Sequence, residues 1–278
     1  MAIFTNQAQL AYNNTVINSN VAVGEVIGAF SVTKTAIGNT YGRNDEVTYA
    51  ISVVNTSTAP LEDITVTDNL GAYTVGADTL YPLTYVDGTA RLFINGVPTA
   101  GLVVTPGAPI QFSGITIPVG GNAIIVYEAS VNEFAPLDVD GSITNTVTVN
   151  GEEASETITT EQEPDLTITK TIEPIPVTQN GRVTYTFTIL NFGNTPAVAT
   201  DAAVLTDTFN PILTDLAVSF NGTGWVDGVN YNYDEATGLF TTVAGQIIVP
   251  AATYTIDPVT NAVIINPGVS ELVVTGTI

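Results

Sequence analysis

The sequence contains no cysteine and no histidine, which excludes disulfides, thiolate nucleophiles, imidazole bases and the usual zinc ligand sets. Serine and cysteine triads go with them, leaving carboxylates as the plausible acid–base groups. Basic residues are almost as scarce. Two lysines and three arginines stand against 27 acidic residues, for a formal net charge of −22. Five cations cannot assemble a basic patch, so nucleic acid is not an expected partner. Apolar runs of helical period are nearly absent, and no stretch approaches the roughly 20 residues of a membrane span. The N-terminus, MAIFTNQAQL, lacks the basic stretch and apolar core of a secretory signal, and nothing C-terminal resembles an anchor. If the protein ends up outside the cell, it is expected to leave by another route or to be released by lysis.

What is present is threonine, valine, isoleucine, asparagine and glycine. With 45% hydrophobic and only 12% charged residues, this is the composition of short strands and tight turns, and it argues against a disordered tail. The chain also repeats itself. Residues 31–70 align with residues 167–210, matching Lys34 with Lys170, Tyr49 with Tyr185, Asn55 with Asn191 and Asp68 with Asp207. Alternating strands separated by turn signals such as Asn180-Gly181 point to antiparallel sandwiches. The expected fold is all-β: two tandem immunoglobulin-like antiparallel β-sandwich domains plus an N-terminal donor strand.

The repeat is uneven. After AIIVYEASV (123–131), the first copy continues into SITNTVTVNG (142–151), whereas the second reaches the equivalent SELVVTGTI and ends at Ile278. The counterpart of the final strand lies at the other end of the chain. IFTNQAQL (3–10) matches SITNTVTV in register, aligning Phe4 with Ile143, Asn6 with Asn145, Ala8 with Val147 and Leu10 with Val149. Asn145 precedes Lys170 by 25 residues, and Asn6 precedes Lys34 by 28. The expected organisation is a donor strand and linker at 1–20, a complete domain at 21–155, and a second domain at 156–278 lacking its last strand.

The only two lysines occupy the same repeat position, and strand alternation places both on apolar stripes: Lys34 with Phe30 and Val32, Lys170 with Leu166, Ile168 and Ile172. Asp68, Asp207, Asn145 and Asn6 fall on apolar faces by the same count. Left unpaired, such groups would cost several kcal/mol each. One reading is a self-formed Lys–Asn isopeptide bond. Burial favours a neutral, nucleophilic amine and a protonated acid, and that acid donates to the carboxamide oxygen while ammonia leaves. The other is a buried Lys–Asp salt bridge with asparagine satisfying the backbone. A surface this polar ordinarily uses lysine freely, so its restriction to two matched sites favours the bond.

The pattern Lys34, Val47-Thr48-Tyr49, Asn55, Val66-Thr67-Asp68 and Ile143-Thr144-Asn145 resembles the bacterial conserved-repeat domain known as domain of unknown function eleven. The second copy carries it through Lys170, Val183-Thr184-Tyr185, Asn191 and Thr206-Asp207, without the final Ile-Thr-Asn. Size, paired repeats and the missing signal are also similar to the major proteins of clostridial spore appendages. That resemblance implies synthesis in the mother cell, a place on the spore or cell surface, and partners among appendage or anchor proteins.

The expected function is a non-enzymatic fibre subunit that polymerises with itself. Ile3, Phe4, Ala8 and Leu10 would be donated to domain two of the next subunit. Bonds would form between Lys34 and Asn145 within a subunit and between Lys170 and Asn6 across subunits, assisted by Asp68 and Asp207. No metal or cofactor is expected. The alternative is a self-contained adhesin or carbohydrate-binding module, for which Trp225 is the one weak aromatic candidate. Asp138–Gly141 covers only part of a calcium loop, and the sequon at Asn13-Asn14-Thr15 is of a kind expected by chance here.

Overall fold

The computed structural model describes residues 2–26 and 28–278. Apart from a 3₁₀ turn at Ala199–Asp201, the regular structure of the described residues is entirely β. The chain forms two compact units, one of residues 1–39, 44–132 and 144–158, the other of residues 40–43, 133–143 and 159–278. These boundaries differ from the sequence expectation for local reasons. The short strand Thr40–Tyr41 pairs in parallel with Thr159 and Thr160, and Val263 donates its N–H to the Glu133 carbonyl, so both segments belong to the second unit.

The first unit has two main sheets. One runs in the order Val97–Thr99, Arg91–Ile94, Asn122–Val131, Glu46–Asn55, Phe30–Ile37. The other runs Val103–Thr105, Ile110–Ile117, Leu61–Asp68, Ser142–Val149, Glu152–Thr160. Strict alternation in Glu46–Asn55 sends Val47, Tyr49, Ile51, Val53 and Asn55 inward. Asn122–Val131 does the same with Ala123, Ile125, Tyr127, Ala129 and Val131. Each large inward apolar side chain contributes about 1.5–3 kcal/mol on burial, which fixes which face of each strand is the core face. Buried Asn55 serves the chain itself, donating to the carbonyls of Ala59, Ile117 and Pro118 at 2.9–3.1 Å.

The second unit repeats the first in register. Lys34 pairs across from Ile51 and Lys170 from Phe187, and Asn191 donates to Thr195 and Pro250 much as Asn55 holds its own turn. Its larger sheet runs Leu166–Glu173, Arg182–Asn191, Gly268–Thr277, Thr214–Phe220, Thr223–Trp225. Against the core packs a smaller sheet in which Thr206–Thr208, the Asp207 strand, pairs with Leu239–Thr242 on one side. Among the described residues, no strand takes its other edge, where the equivalent Leu61–Asp68 is flanked by Ser142–Val149.

Residues 2–26 fold back on themselves, where the sequence suggested a lone donor strand. Ala2–Asn6 pairs with Ala22–Val26, and Gln9–Tyr12 with Thr15–Asn18. Asn13 and Asn14 both take left-handed backbone angles (φ 44° and 62°), the requirement of a two-residue hairpin turn. The apparent sequon at this position is therefore the turn. Ile3, Phe4, Leu10, Val16 and Val23 are more than half exposed, so the hairpin carries apolar side chains that it does not bury.

Candidate functional site

Three strands of the first unit deliver Lys34, Asp68 and Asn145 to one buried place, as the alternation in the sequence predicts. All three are essentially without solvent, at 4%, 0% and 0% exposure. The Lys34 ammonium is ion-paired and hydrogen-bonded to Asp68 Oδ2 and lies 4.7 Å from the centre of the Tyr49 ring. Asn145 reaches the site because Val147, two residues on and on the same face, pairs directly with Asp68. Burial is the main influence on the lysine. It lowers the amine from 10.5 to about 8, although the neighbouring Asp68 carboxylate pulls the other way.

Two further groups complete the site, and sequence reasoning did not find either. The Tyr127 hydroxyl, fully buried, donates to Asp68 Oδ2 at 2.6 Å and accepts from Lys34 Nζ at 3.2 Å and Asn145 Nδ2 at 3.1 Å. Burial raises its phenol well above 10, so it stays protonated. Tyr127 was legible in principle, since it stands on the inward stripe of its strand, but it reads as core until its polar tip is counted. The second group is the Gly71 N–H, which donates to Asn145 Oδ1 at 3.2 Å. It is presented by a tight turn after Asp68, in which Leu70 and Gly71 have φ values of 52° and 73° and Asp68 Oδ1 accepts from the Leu70 N–H at 3.0 Å. Here the structure corrects the sequence expectation. The carboxamide oxygen is held by a backbone amide, while Asp68 faces the lysine and the tyrosine.

The second unit holds the same pair in a different setting. Lys170 is hydrogen-bonded to Asp207 Oδ2 and lies 4.5 Å from the Tyr185 ring centre. The side chains are 39% and 19% exposed, however, where both members of the first pair are 0% exposed. The sequence placed Lys170 in the middle of an inward stripe. The structure leaves that stripe largely uncovered, with Leu166 and Ile168 at 39% and 53% exposure. An apolar groove of about 330 Å³ runs beside it, lined by Leu166, Ile168, Ile189, Val204, Leu205 and Ile247.

Asn6 lies in the N-terminal hairpin opposite Ala22 and is exposed, as are Phe4, Ala8 and Leu10. Phe4 lies across Gly24, where any Cβ would come within 2.2 Å of its ring. Trp225 stacks on Phe220 at 4.9 Å and is half-buried. Asp138–Gly141 is a turn closed by the Gly141 N–H on the Asp138 carbonyl, which also accepts from the Thr160 hydroxyl at 2.8 Å. No group of three or more acidic side chains is placed to hold a metal ion among the described residues, and no helix among them is long and apolar enough to cross a membrane.

No protein-family model and no curated protein matches the chain. Several solved structures are similar to it at low identity. The pilus backbone protein of Streptococcus pneumoniae aligns at 15% identity and TM-score 0.36 over 86% of this chain, which spans 55% of that one. The major pilin subunit of Bacillus cereus aligns at 11% identity and TM-score 0.37, covering 94% of this chain and 70% of its own. The C-terminal domain of an AgI/II polypeptide from Streptococcus agalactiae aligns at 12% identity and TM-score 0.36, covering 89% and 91%.

Proposed function

We propose that this chain is the structural subunit of an extracellular fibre, assembled head to tail by donation of the N-terminal hairpin and fastened by Lys–Asn isopeptide bonds. The observation that carries the reading is a mismatch between the two units. The first buries lysine, aspartate and asparagine together. The second holds the lysine–aspartate pair beside an open strand edge and an apolar groove, while an asparagine on an apolar strand stands exposed elsewhere in the chain.

The hairpin form of the donor fits the vacant place better than a single strand. In the first unit, the asparagine strand Ser142–Val149 turns at Asn150-Gly151 and returns as Glu152–Thr160. Residues 2–26 have the same plan, with Asn6 before a left-handed turn and a returning strand. Docked beside Asp207, Phe4 and Leu10 would take the positions that Ile143 and Val149 occupy when buried. An open edge satisfies its backbone groups by taking such a strand. Because donor and acceptor are different segments of the chain, the contact is heterologous, the kind that propagates as a filament when its rotation does not close.

In the first unit, the neutral Lys34 amine attacks the Asn145 carboxamide carbon. The developing oxyanion is met by the Gly71 N–H, Asp68 holds the shared proton, and ammonia leaves. Docking would bring Asn6 to Lys170 and Asp207 of the neighbouring subunit for the same chemistry. A place in spore appendages, with release on lysis of the mother cell, is the setting implied by the likeness in size and paired repeats. The test is electron microscopy of the purified chain with and without residues 1–26. Wild-type filaments and soluble truncated monomers are expected, and normal filaments from the truncated chain would overturn the reading.

A further inference from the structure

We infer that Tyr127 is a catalytic residue for closure of the Lys34–Asn145 bond, relaying a proton between the two nitrogens, and that the second unit lacks this relay. The inference rests on the bond-forming reading above.

Tyr127 stands directly across from Tyr49 in the first unit, and Val274 stands across from Tyr185 in the second. Tyr49 and Tyr185 occupy matched repeat positions, so the register itself identifies Val274 as the residue in the place of Tyr127. A buried phenol needs one partner to be satisfied. This one contacts the attacking nitrogen, the carboxylate and the departing nitrogen. Around Lys170 the described hydrogen bonds run to Asp207 alone, and the neighbouring rings of Tyr185, Phe187 and Phe209 offer faces at 4.5–5.3 Å.

Such a bridge speeds the reaction, and without it the protons must cross through the carboxylate or solvent. After attack, the former lysine nitrogen carries one proton too many, and the former carboxamide nitrogen must gain one before it can leave as ammonia. The Tyr127 oxygen lies within 3.2 Å of both. It gives its hydroxyl proton to Nδ2 and is reprotonated from Nζ, directly or through Asp68 Oδ2. The C–N bond to Nζ forms, the C–N bond to Nδ2 breaks, and tyrosine and aspartate return to their starting states. The products are one secondary amide and one ammonia.

The experiment follows intact mass with time after cell-free synthesis of the full chain, carrying Asn6→Ala so that subunits separate on denaturation. The starting chain should lose one ammonia, and Tyr127→Phe should do so about a hundredfold more slowly, the low end of general acid–base contributions. In a second arm, 3-fluorotyrosine at position 127 keeps the ring size but alters phenol acidity. A relay changes rate with it, and a packing role does not. If the Asn6→Ala chain never loses ammonia, the bond reading fails and the relay with it. If that chain reacts and both substituted forms keep its rate, the relay is overturned while the bond stands. Should Tyr127→Phe not fold, the fluorotyrosine arm decides alone.

Discussion

Asn145→Ala separates the two readings of the buried site by magnitude. The substitution leaves Lys34 paired with Asp68 but removes the electrophile. Lys34 and Asn145 are 111 positions apart, and a covalent link closing a loop of that length restricts the unfolded chain by about 4–5 kcal/mol. Loss of the carboxamide also leaves the Gly71 N–H without its acceptor, a further cost of about 1–3 kcal/mol. In a unit of roughly 140 residues each kcal/mol at the midpoint moves Tm by about 3–5 °C, so the bonded protein should lose roughly 20 °C or more. If no bond exists, only the hydrogen-bond part is lost and the shift is about 3–15 °C. Calorimetry is the assay, with the transition of the second unit as an internal standard and intact mass run alongside. A shift within roughly 15 °C, in a protein whose wild-type mass equals that of the unmodified sequence, would refute the covalent tie.

Two further outcomes test the chemistry. Asn6→Ala should still give filaments, because the hairpin keeps its apolar side chains, but boiling in detergent should reduce them to monomers, whereas wild type should run as a ladder; boiling-resistant polymers from the variant would place the interchain link elsewhere. The bond-forming rate in the first unit should be level through neutral pH and fall above about 8, because the reactive state, neutral Lys34 beside protonated Asp68, holds the same single proton as the ion pair and loses it as the amine titrates. A rate that climbs through pH 8 would instead show free-amine attack without acid assistance.

The parts legible in the sequence were those governed by period-two alternation. Lys34, Asp68 and Asn145 share inward faces with valines and isoleucines, so the sequence could place all three in one core. Tyr127 obeys the same alternation, but aromatic residues are routine core, and its three hydrogen bonds depend on strands brought together from elsewhere in the chain. The Gly71 amide was hidden because backbone groups carry no sequence label, and only the left-handed turn at Leu70 and Gly71 aims it. The hairpin at 2–26 was missed for a different reason. Asn13-Asn14 between QLAY and TVIN is a two-residue turn signal, and matching the segment to a single strand obscured it. The exposure of Lys170 could not be read from its stripe, since a stripe records which face is apolar and not whether another strand covers it.

The positions of the tied residues also decide what happens under tension. Lys34 lies in the first strand after the hairpin, and Asn145 lies just before the turn that leads to Glu152–Thr160 and onward to Lys170. With both links closed, a pull along the fibre enters at Asn6, crosses from Lys34 to Asn145, and leaves through Lys170. Residues 35–144 then form a side loop that carries no load. Unravelling that loop would not lengthen the fibre, because the covalent route bypasses it and the load falls on residues 6–34 and 145–170. The extension of each subunit would be limited by the two chain stretches on that route, whatever became of the sandwich, and the reach of the fibre would be set by its number of subunits.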